Sequence, residues 1–210
     1  MKELDFGKAN GLIPAIIQHN DTLQVLMLGY MNEEAVLETL DRKRVTFFSR
    51  SRQRLWLKGE TSGNYLNLIS MEKDCDCDAL LLKVIPEGNV CHRDVMSCFS
   101  DKEAEGIGFL SFLQYIVKDR IENPREGSYT SELIRQGEKR IAQKVGEEAI
   151  ECVIDSLTDR DALKNEVADL LFHVIVLLAS KDLSILEVIE ILRKRHSARQ
   201  KGDISGIEVD

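Results

Sequence analysis

The sequence predicts two domains, a β-rich α+β domain followed by an all-helical domain. Short apolar runs of strand length, separated by turn residues, fill the chain as far as Cys98. Beyond that point the apolar residues recur with the period of an α-helix. The polar stretch between the two patterns, residues 101–108, contains two glycines and is typical of a linker. We therefore expect a first domain at 1–103, a linker at 104–108, a second domain at 109–203 and a tail at 204–210.

Several apolar runs in the first domain have the length of strands. They are residues 11–19, 24–31, 45–49, 55–58, 65–70 and 79–85. Most are too short to be stable alone, so we expect one small mixed sheet. Asn32 is a suitable N-cap for a single helix that begins at Glu33.

The second domain shows a succession of helical patterns. An apolar stripe runs over residues 109–117 and ends before Pro124. One long helix is predicted over 131–156, and another over 161–180 that is apolar nearly all round and therefore central and buried. Ser184 and Glu187 form a capping box that opens the last helix. We expect the polar tail from Gln200 to be loosely ordered.

Charge and composition restrict the function. The 210 residues carry a formal net charge of −8, which argues against broad binding to nucleic acid or to anionic membranes. No apolar segment approaches the length of a membrane span, and the first residues lack the pattern of a secretory signal, so we expect a cytoplasmic protein. An acidic enzyme can still bind phosphorylated metabolites where metal ions supply the positive charge.

The densest group of candidate metal ligands is residues 74–78, DCDCD. If this segment is extended, Asp74, Asp76 and Asp78 share one face and the two cysteines share the other. Carboxylates suit Mg²⁺ and thiolates suit Zn²⁺, so one strand could serve two metals. The alternative is a solvated acidic turn that leads into a core strand.

Four of the five cysteines lie close together in the sequence, which in a cytosolic protein favours metal binding over disulfides. Cys75, Cys91 and Cys98 do not follow the paired spacing of a closed structural zinc site. Three thiolates with an open fourth position would instead activate a water molecule. The alternative is that these are buried, inert thiols. Cys77 is interpreted as a spare thiol, and His92 as a ligand, a proton shuttle or a surface residue.

Residues 56–64, WLKGETSGN, place two glycines and several polar residues between two strands. Such a loop can hold a phosphate through backbone N–H groups and hydroxyls, and the arginines of the preceding SRSR stretch have guanidinium groups suited to phosphate. The alternative is a hairpin loop with exposed arginines. The candidate substrate-binding residues here are Arg50, Arg52, Trp56, Lys58, Glu60, Ser62, Gly63 and Asn64.

The helical domain carries two carboxylate pairs at helical spacing, Glu148 with Glu151 and Glu166 with Asp169. Facing each other across a helix hairpin, they would repel unless divalent cations such as Mg²⁺ bind between them. Asp169 borders an apolar run, so we expect it to be turned away from solvent.

The alternative to this metal site is that the carboxylates form a charged, solvent-exposed helix face on which Lys144 pairs with Glu148 four residues later. Among these acidic residues, Glu147 fits that alternative best. Lys139, Arg140 and Lys144 are candidates either for outer phosphates or for surface ion pairs, and His173 is interpreted as a core histidine.

These motifs carry a family resemblance. Residues up to about 100 resemble phosphoribosyl-AMP cyclohydrolase through LGYMNEEA, SRSR, WLKGETSGN, DCDCD, Cys91-His92 and SCF. Residues from about 108 resemble phosphoribosyl-ATP pyrophosphohydrolase through GSYT, RIAQKVGEEA, Glu151 and EVAD. In this order the two resemble the bifunctional enzymes of histidine biosynthesis.

The resemblance implies a division of roles. Zn²⁺ would be held by Cys75, Cys91 and Cys98 in a site assembled across a homodimer interface, and Mg²⁺ by the three aspartates. In a fold like that of the all-α nucleoside triphosphate pyrophosphohydrolases, Mg²⁺ would also be held by Glu148, Glu151, Glu166 and Asp169. The nucleotide phosphoribosyl-ATP would be cleaved between its α and β phosphates, and zinc-activated water would then open the adenine ring of phosphoribosyl-AMP. His92 and Glu147 are the candidate catalytic side chains.

The resemblance also has one departure and leaves competing hypotheses. Arg93-Asp94 stand where this family usually has Thr-Gly, which changes the loop between two zinc ligands. A structural zinc would make the first domain a dimerisation or nucleotide-sensing module. A less selective second domain would be a general nucleotide pyrophosphatase.

Overall fold

The computed structural model describes residues 4–204, and the chain divides into two compact units between Phe109 and Leu110. The first unit is β-rich and the second is all-helical, as predicted. None of the helices within residues 4–204 combines the length and the apolar character needed to cross a membrane.

From residue 4 onward, the first unit contains six strands and one α-helix after a 3₁₀ turn at Phe6–Ala9. The elements are β1 (Ile13–His19), β2 (Val25–Met31), α1 (Glu33–Arg42), β3 (Thr46–Ser49), β4 (Arg54–Leu57), β5 (Leu66–Lys73) and β6 (Leu80–Pro86). Four strands form a sheet in the order β2-β1-β6-β5, in which only β1 and β6 are parallel. The mixed sheet is therefore confirmed, but the single sheet is wrong, because β3 and β4 pair as a separate hairpin.

Alternation along the strands builds the core of this unit. Ile13, Ala15 and Ile17 on β1 are fully buried, and Leu80, Leu82 and Val84 of β6 lie beside them. The β3–β4 hairpin reaches this core through Phe47. A Cβ atom on Gly29 would lie 2.3 Å from the Phe47 ring, so only glycine allows β2 and the hairpin to approach so closely.

Residues 74–78 are a turn between β5 and β6, so the prediction of an extended, alternating segment is wrong. The Asp74 carboxylate accepts hydrogen bonds from the backbone N–H groups of Asp78 at 3.0 Å and Ala79 at 3.1 Å. Cys77 adopts a φ of 67°. The Asp74 side chain thus satisfies backbone donors that a strand would have paired elsewhere.

As far as residue 204, the second unit consists of five helices. They are α2 (Gly108–Glu122), α3 (Tyr129–Gln136), α4 (Glu138–Asp155), α5 (Arg160–Ser180) and α6 (Ile185–Ile204). The single helix predicted over 131–156 is wrong, because Gly137, with a φ of 88°, ends α3 and starts α4.

Packing and capping in the second unit differ in part from expectation. α5 buries Ile175 and Val176 completely but leaves Val167 and Leu171 about two-fifths exposed, so the prediction that this helix is buried all round is wrong.

The capping box predicted at the start of the last helix is confirmed: the Ser184 N–H donates to the Glu187 carboxylate at 2.6 Å, and the Ser184 hydroxyl accepts from the backbone N–H groups of Leu186 and Glu187. α6 continues to Ile204, and the rest of the predicted tail lies outside the described residues.

Candidate active sites

A cleft of about 310 Å³ in the first unit brings together the β4–β5 loop and the segment after β6. Its walls include the predicted residues Trp56, Lys58, Ser62, Asn64, Cys91, His92 and Cys98. The loop folds back tightly at Gly59, where φ is 95° and a Cβ atom would lie 2.6 Å from the Asn64 carbonyl. The Asn64 side chain then donates to the Asn89 carbonyl at 2.8 Å, which joins the two walls.

The cleft wall formed by residues 89–98, which carries Cys91 and Cys98 and is called the cysteine-bearing wall below, is held in place by hydrogen bonds to strand β2. The Cys98 N–H donates to the Leu26 carbonyl at 2.7 Å, and the Ser97 hydroxyl donates to the Val25 carbonyl at 2.7 Å. Strand β2 therefore determines where the Cys98 thiol is held in the cleft.

Asp94 occupies a position in the Cys91–Cys98 loop that suits glycine. Its φ is 59°, and its N–H donates to the Cys91 carbonyl at 3.1 Å. The Asn89 amide donates to both the carbonyl and the carboxylate of Asp94, at 2.8 and 3.0 Å. Aspartate tolerates this conformation better than most residues. The loop therefore keeps its turn although Asp94 stands where the phosphoribosyl-AMP cyclohydrolases usually have glycine.

The thiols and Lys58 form an electrostatic group in the cleft. The Arg93 backbone N–H, helped by its guanidinium, lowers the pKa of Cys91, whereas partial burial and the neighbouring Cys91 raise the pKa of Cys98. Lys58 is only 7% exposed, and burial lowers its pKa although both thiols oppose that shift. Lys58 forms no ion pair with the acidic residues in the described part of the chain, so the cleft offers a cation to an anionic ligand.

A second cavity of about 310 Å³ lies between β2 and the β3–β4 hairpin, and Trp56 lines both cavities. Arg50 lines this one and stacks 3.8 Å from the centre of the Tyr30 ring. Three other predicted residues lie outside both walls: Arg52, Glu60 and Gly63. Glu60 instead accepts a 2.9 Å hydrogen bond from Arg54.

The structure gathers only two of the three predicted zinc ligands within one chain. Cys91 and Cys98 line the same cleft and influence each other's pKa, whereas Cys75 is not part of the cleft wall. Two clusters of three or more potential ligand atoms occur in the described residues, and neither contains a cysteine.

The first of these clusters is formed by Asp74, Asp76 and Asp78, whose carboxylate oxygens lie within 4.8 Å of one another. The turn, not strand alternation, brings them together. The ammonium group of Lys8 lies on this cluster and lowers the pKa of Asp76 through a hydrogen bond.

The second cluster lies on the facing sides of α4 and α5. Oxygens of Glu148, Glu166 and Asp169 lie within 4.8 Å of one another. The fourth predicted ligand, Glu151, is not part of this group, but it is near enough to influence the pKa values of Glu148 and Glu166. Burial, followed by the charges of Glu151 and Glu148, raises the pKa of Glu166. Glu148 is buried, but Asp169 is exposed, so the expectation for Asp169 is wrong.

Two basic residues of α4 form ion pairs with Glu148 of the second cluster and with its neighbour Glu147. Lys144 donates to Glu148 at 2.6 Å and lies 3.0 Å from Glu147, and Arg140 donates to Glu147 at 3.0 Å. Lys144 lowers the pKa of both glutamates. Arg140 and Lys144 thus face carboxylates, while Lys139 is exposed.

Two aromatic residues next to the second cluster have contacts that sequence reasoning missed. His173 is buried as expected, but its ring hydrogen-bonds the hydroxyl of Tyr129 on α3 at 3.0 Å. Tyr129 belongs to the GSYT stretch, one of the motifs on which the resemblance to phosphoribosyl-ATP pyrophosphohydrolase rests. That motif was the only feature of the sequence that pointed to Tyr129, and it did not indicate a role for the side chain.

A thiol-lined cleft in one unit and clustered carboxylates on a helix pair in the other are typical of two separate hydrolytic sites. Comparison with known families agrees with this division. The phosphoribosyl-AMP cyclohydrolase model matches residues 27–100, and the phosphoribosyl-ATP pyrophosphohydrolase model matches residues 110–196.

Curated relatives match along almost the whole chain. The histidine biosynthesis bifunctional protein HisIE of Bacteroides thetaiotaomicron is 49% identical over 200 residues, covering 95% of this chain and 98% of the relative. The protein of the same name from Escherichia coli K12 is 50% identical over 196 residues, covering 93% and 96%. The chain belongs to this family of bifunctional histidine-biosynthesis hydrolases.

Proposed function

We propose that the helical unit hydrolyses phosphoribosyl-ATP to phosphoribosyl-AMP and pyrophosphate, and that the β-rich unit then opens the adenine ring of that product. The family membership of the two domains supports this order, because release of pyrophosphate from phosphoribosyl-ATP leaves phosphoribosyl-AMP, the substrate named by the family of the first domain. The main structural support is the cleft that combines Trp56 and Lys58 with Cys91, His92 and Cys98.

In the helical unit the proposed Mg²⁺ ligands are Glu148, Glu151, Glu166 and Asp169. An all-carboxylate donor set fits this hard cation. The pKa of Glu166 is raised by burial and then by neighbouring negative charges, and a bound cation would offset those charges. When bound, Mg²⁺ would neutralise phosphate charge and favour attack by water on the α phosphate. Lys144 and Arg140 keep Glu147 ionised, so Glu147 can accept a hydrogen bond from the attacking water and orient it.

In the β-rich unit the proposed zinc ligands are Cys91, Cys98 and a Cys75 contributed by a second copy of the chain. The sulfur donors fit zinc, and the separation of the exposed Cys75 from the other two thiols supports a homodimeric site. Bound zinc would supply hydroxide at neutral pH for attack on the purine carbon between N1 and N6. Mg²⁺ is proposed at Asp74, Asp76 and Asp78.

The residues of this chain would orient the substrate in the cleft. The indole of Trp56 offers an apolar surface to the purine ring, and the buried Lys58 ammonium offers a charge to an anionic group. His92 lies on the cleft wall beside Cys91, with its Nδ1 atom 3.9 Å from the sulfur, and can hold or move a proton during ring opening.

The decisive experiment incubates the purified protein with phosphoribosyl-ATP, with and without a zinc-selective chelator, and follows both products. We expect pyrophosphate release in both samples and ring opening only without chelator. Ring opening that persists after zinc is removed would contradict the zinc assignment. Equal cleavage of phosphoribosyl-ATP and ordinary nucleoside triphosphates would favour a general pyrophosphatase.

A further inference from the structure

The buried imidazole of His173 touches both sides of the α4–α5 carboxylate cluster. Its Nδ1 atom lies 2.9 Å from the backbone carbonyl of Asp169 and 3.6 Å from Oε1 of Glu148. Its Nε2 atom lies 3.0 Å from the Tyr129 hydroxyl. One side chain of α5 therefore contacts α3, α4 and the turn of α5 that carries Asp169.

These contacts define which ring nitrogen carries the proton. A carbonyl oxygen can only accept, so Nδ1 must donate to Asp169. In the neutral ring Nε2 is then an acceptor, and the Tyr129 hydroxyl is its donor. Tyr129 therefore stabilises the tautomer and the orientation in which the Nδ1–H lies near Glu148.

Glu148 is the cluster carboxylate that needs such support, because it is only 4% exposed. Lys144 and His173 approach the same oxygen, Oε1, at 2.6 and 3.6 Å. The longer distance exceeds a hydrogen bond, so the ring acts on Glu148 through its N–H dipole and by filling the space behind the carboxylate. Side chains that orient metal ligands in this way commonly contribute to metal affinity.

We propose that His173 and Tyr129 are positioning residues of the pyrophosphohydrolase site, which hold Glu148 and the Asp169 turn in the arrangement that binds the divalent cation. This inference rests on the proposed function, because it takes Glu148 and Asp169 as ligands. Any buried histidine gains from a hydrogen bond to its second nitrogen, but the Nδ1 atom of this one lies against both the Asp169 carbonyl and the Glu148 carboxylate, which belong to two of the proposed ligands.

The test measures cation binding separately from catalysis. Mn²⁺ replaces Mg²⁺ as the probe, and free Mn²⁺ is counted by electron paramagnetic resonance in the full-length protein carrying Asp76→Asn and Asp78→Asn, so that the helical site is observed. We expect His173→Leu to weaken Mn²⁺ binding about 10- to 100-fold, as orienting residues usually do, and Tyr129→Phe to weaken it less. His173→Asn, which keeps an N–H donor near the Nδ1 position, should recover most of the loss.

Control variants separate this role from a general loss of structure. Tyr115→Phe on α2 should leave Mn²⁺ binding unchanged. Unaltered binding in folded Tyr129→Phe and His173→Leu proteins would overturn the inference while leaving the metal site intact, and Tyr129→Phe alone decides if His173→Leu does not fold. If Glu151→Gln also leaves Mn²⁺ binding unchanged, the metal site itself is wrong and the inference falls with it.

Discussion

The ammonium nitrogen of Lys8 lies 2.8 Å from Oδ2 of Asp76 and 3.1 Å from Oδ2 of Asp78. Hydrogen bonds to these carboxylates raise the pKa of Lys8, so it stays charged. A cation from the N-terminal 3₁₀ turn thus occupies the cluster that we propose for Mg²⁺. The two cations compete for the same oxygens.

We therefore predict that Lys8→Met tightens Mg²⁺ binding at the aspartate turn. Removing the ammonium group leaves the carboxylates without their internal counter-ion, and because exposed ion pairs are weak we expect a gain in affinity of no more than roughly 5-fold. Calorimetric titration in a Glu151→Gln background, in which we expect the helical site to bind Mg²⁺ more weakly, measures the change at the aspartate turn. Lys102→Met, which removes an exposed lysine from a different ion pair, is the control, and an equal change in both variants would contradict the prediction.

Cys98→Ala should abolish ring opening while pyrophosphate release continues. Residues that merely orient a metal ligand cost about 10- to 100-fold when mutated, so the loss of a ligand should cost at least about 100-fold. Both products are followed from phosphoribosyl-ATP, with Cys152→Ala as the matched thiol control. Loss of both reactions in a folded protein would contradict two independent sites.

Glu151→Gln should have the opposite effect. The amide keeps the size of the side chain but removes a negative charge beside Glu148 and Glu166, and we expect pyrophosphate release to fall at least about 10-fold. Supplying phosphoribosyl-AMP directly tests the other unit, whose rate should be unchanged. Glu138→Gln, at the first residue of the same helix, controls for a general effect of charge.

Glu166→Gln should stabilise the metal-free helical unit at neutral pH although it impairs the proposed metal site. The pKa of Glu166 is raised above its usual 4.5 by burial and by neighbouring carboxylates. Its stabilising contribution is therefore complete below pH 4.5 and is lost as the pH rises through the folded-state pKa. Thermal unfolding with a chelator present should show a melting temperature a few degrees higher for the variant at neutral pH and no difference on acidification.

Added Mg²⁺ should reverse this order, since the wild-type cluster binds the ion more tightly and binding stabilises the folded state. A variant that is less stable than wild type without metal at neutral pH would show that Glu166 has a favourable contact, contrary to the raised pKa.

Local patterns in the sequence were sufficient to predict where two helices begin and which carboxylates of the helical unit come together. Asn32 caps α1 by accepting from the Ala35 N–H at 2.9 Å, and the Ser184–Glu187 box forms as expected. Glu148, Glu166 and Asp169 come together because helical spacing fixes which side chains share a face.

The helix break at Gly137 was not predicted and the turn at residues 74–78 was only the alternative interpretation, because the periodicity of apolar residues does not show where a local turn interrupts a helix or a strand. Ile134 and Ile141 keep a helical spacing across Gly137, so the apolar pattern hides the break between α3 and α4. At residues 74–78 the Asp74 carboxylate captures backbone N–H groups, and this local preference outweighs strand pairing. Cys75 illustrates a third limit, because the sequence places it near Cys91 and Cys98, whereas in the folded chain it does not line the cleft that those two share.

The hydrogen bond from Ser97 to Val25 spans 72 residues, so the cysteine-bearing wall reaches its place only after a long chain closure. The carboxylate cluster is formed by two consecutive helices separated only by residues 156–159. Because closing long loops costs more entropy than joining neighbouring helices, we expect the carboxylate site to form early in folding and the thiol cleft late. During that interval the thiols of a newly made chain are open to oxidation, and the yield of active cyclohydrolase should depend on a reducing environment more than the yield of active pyrophosphohydrolase does.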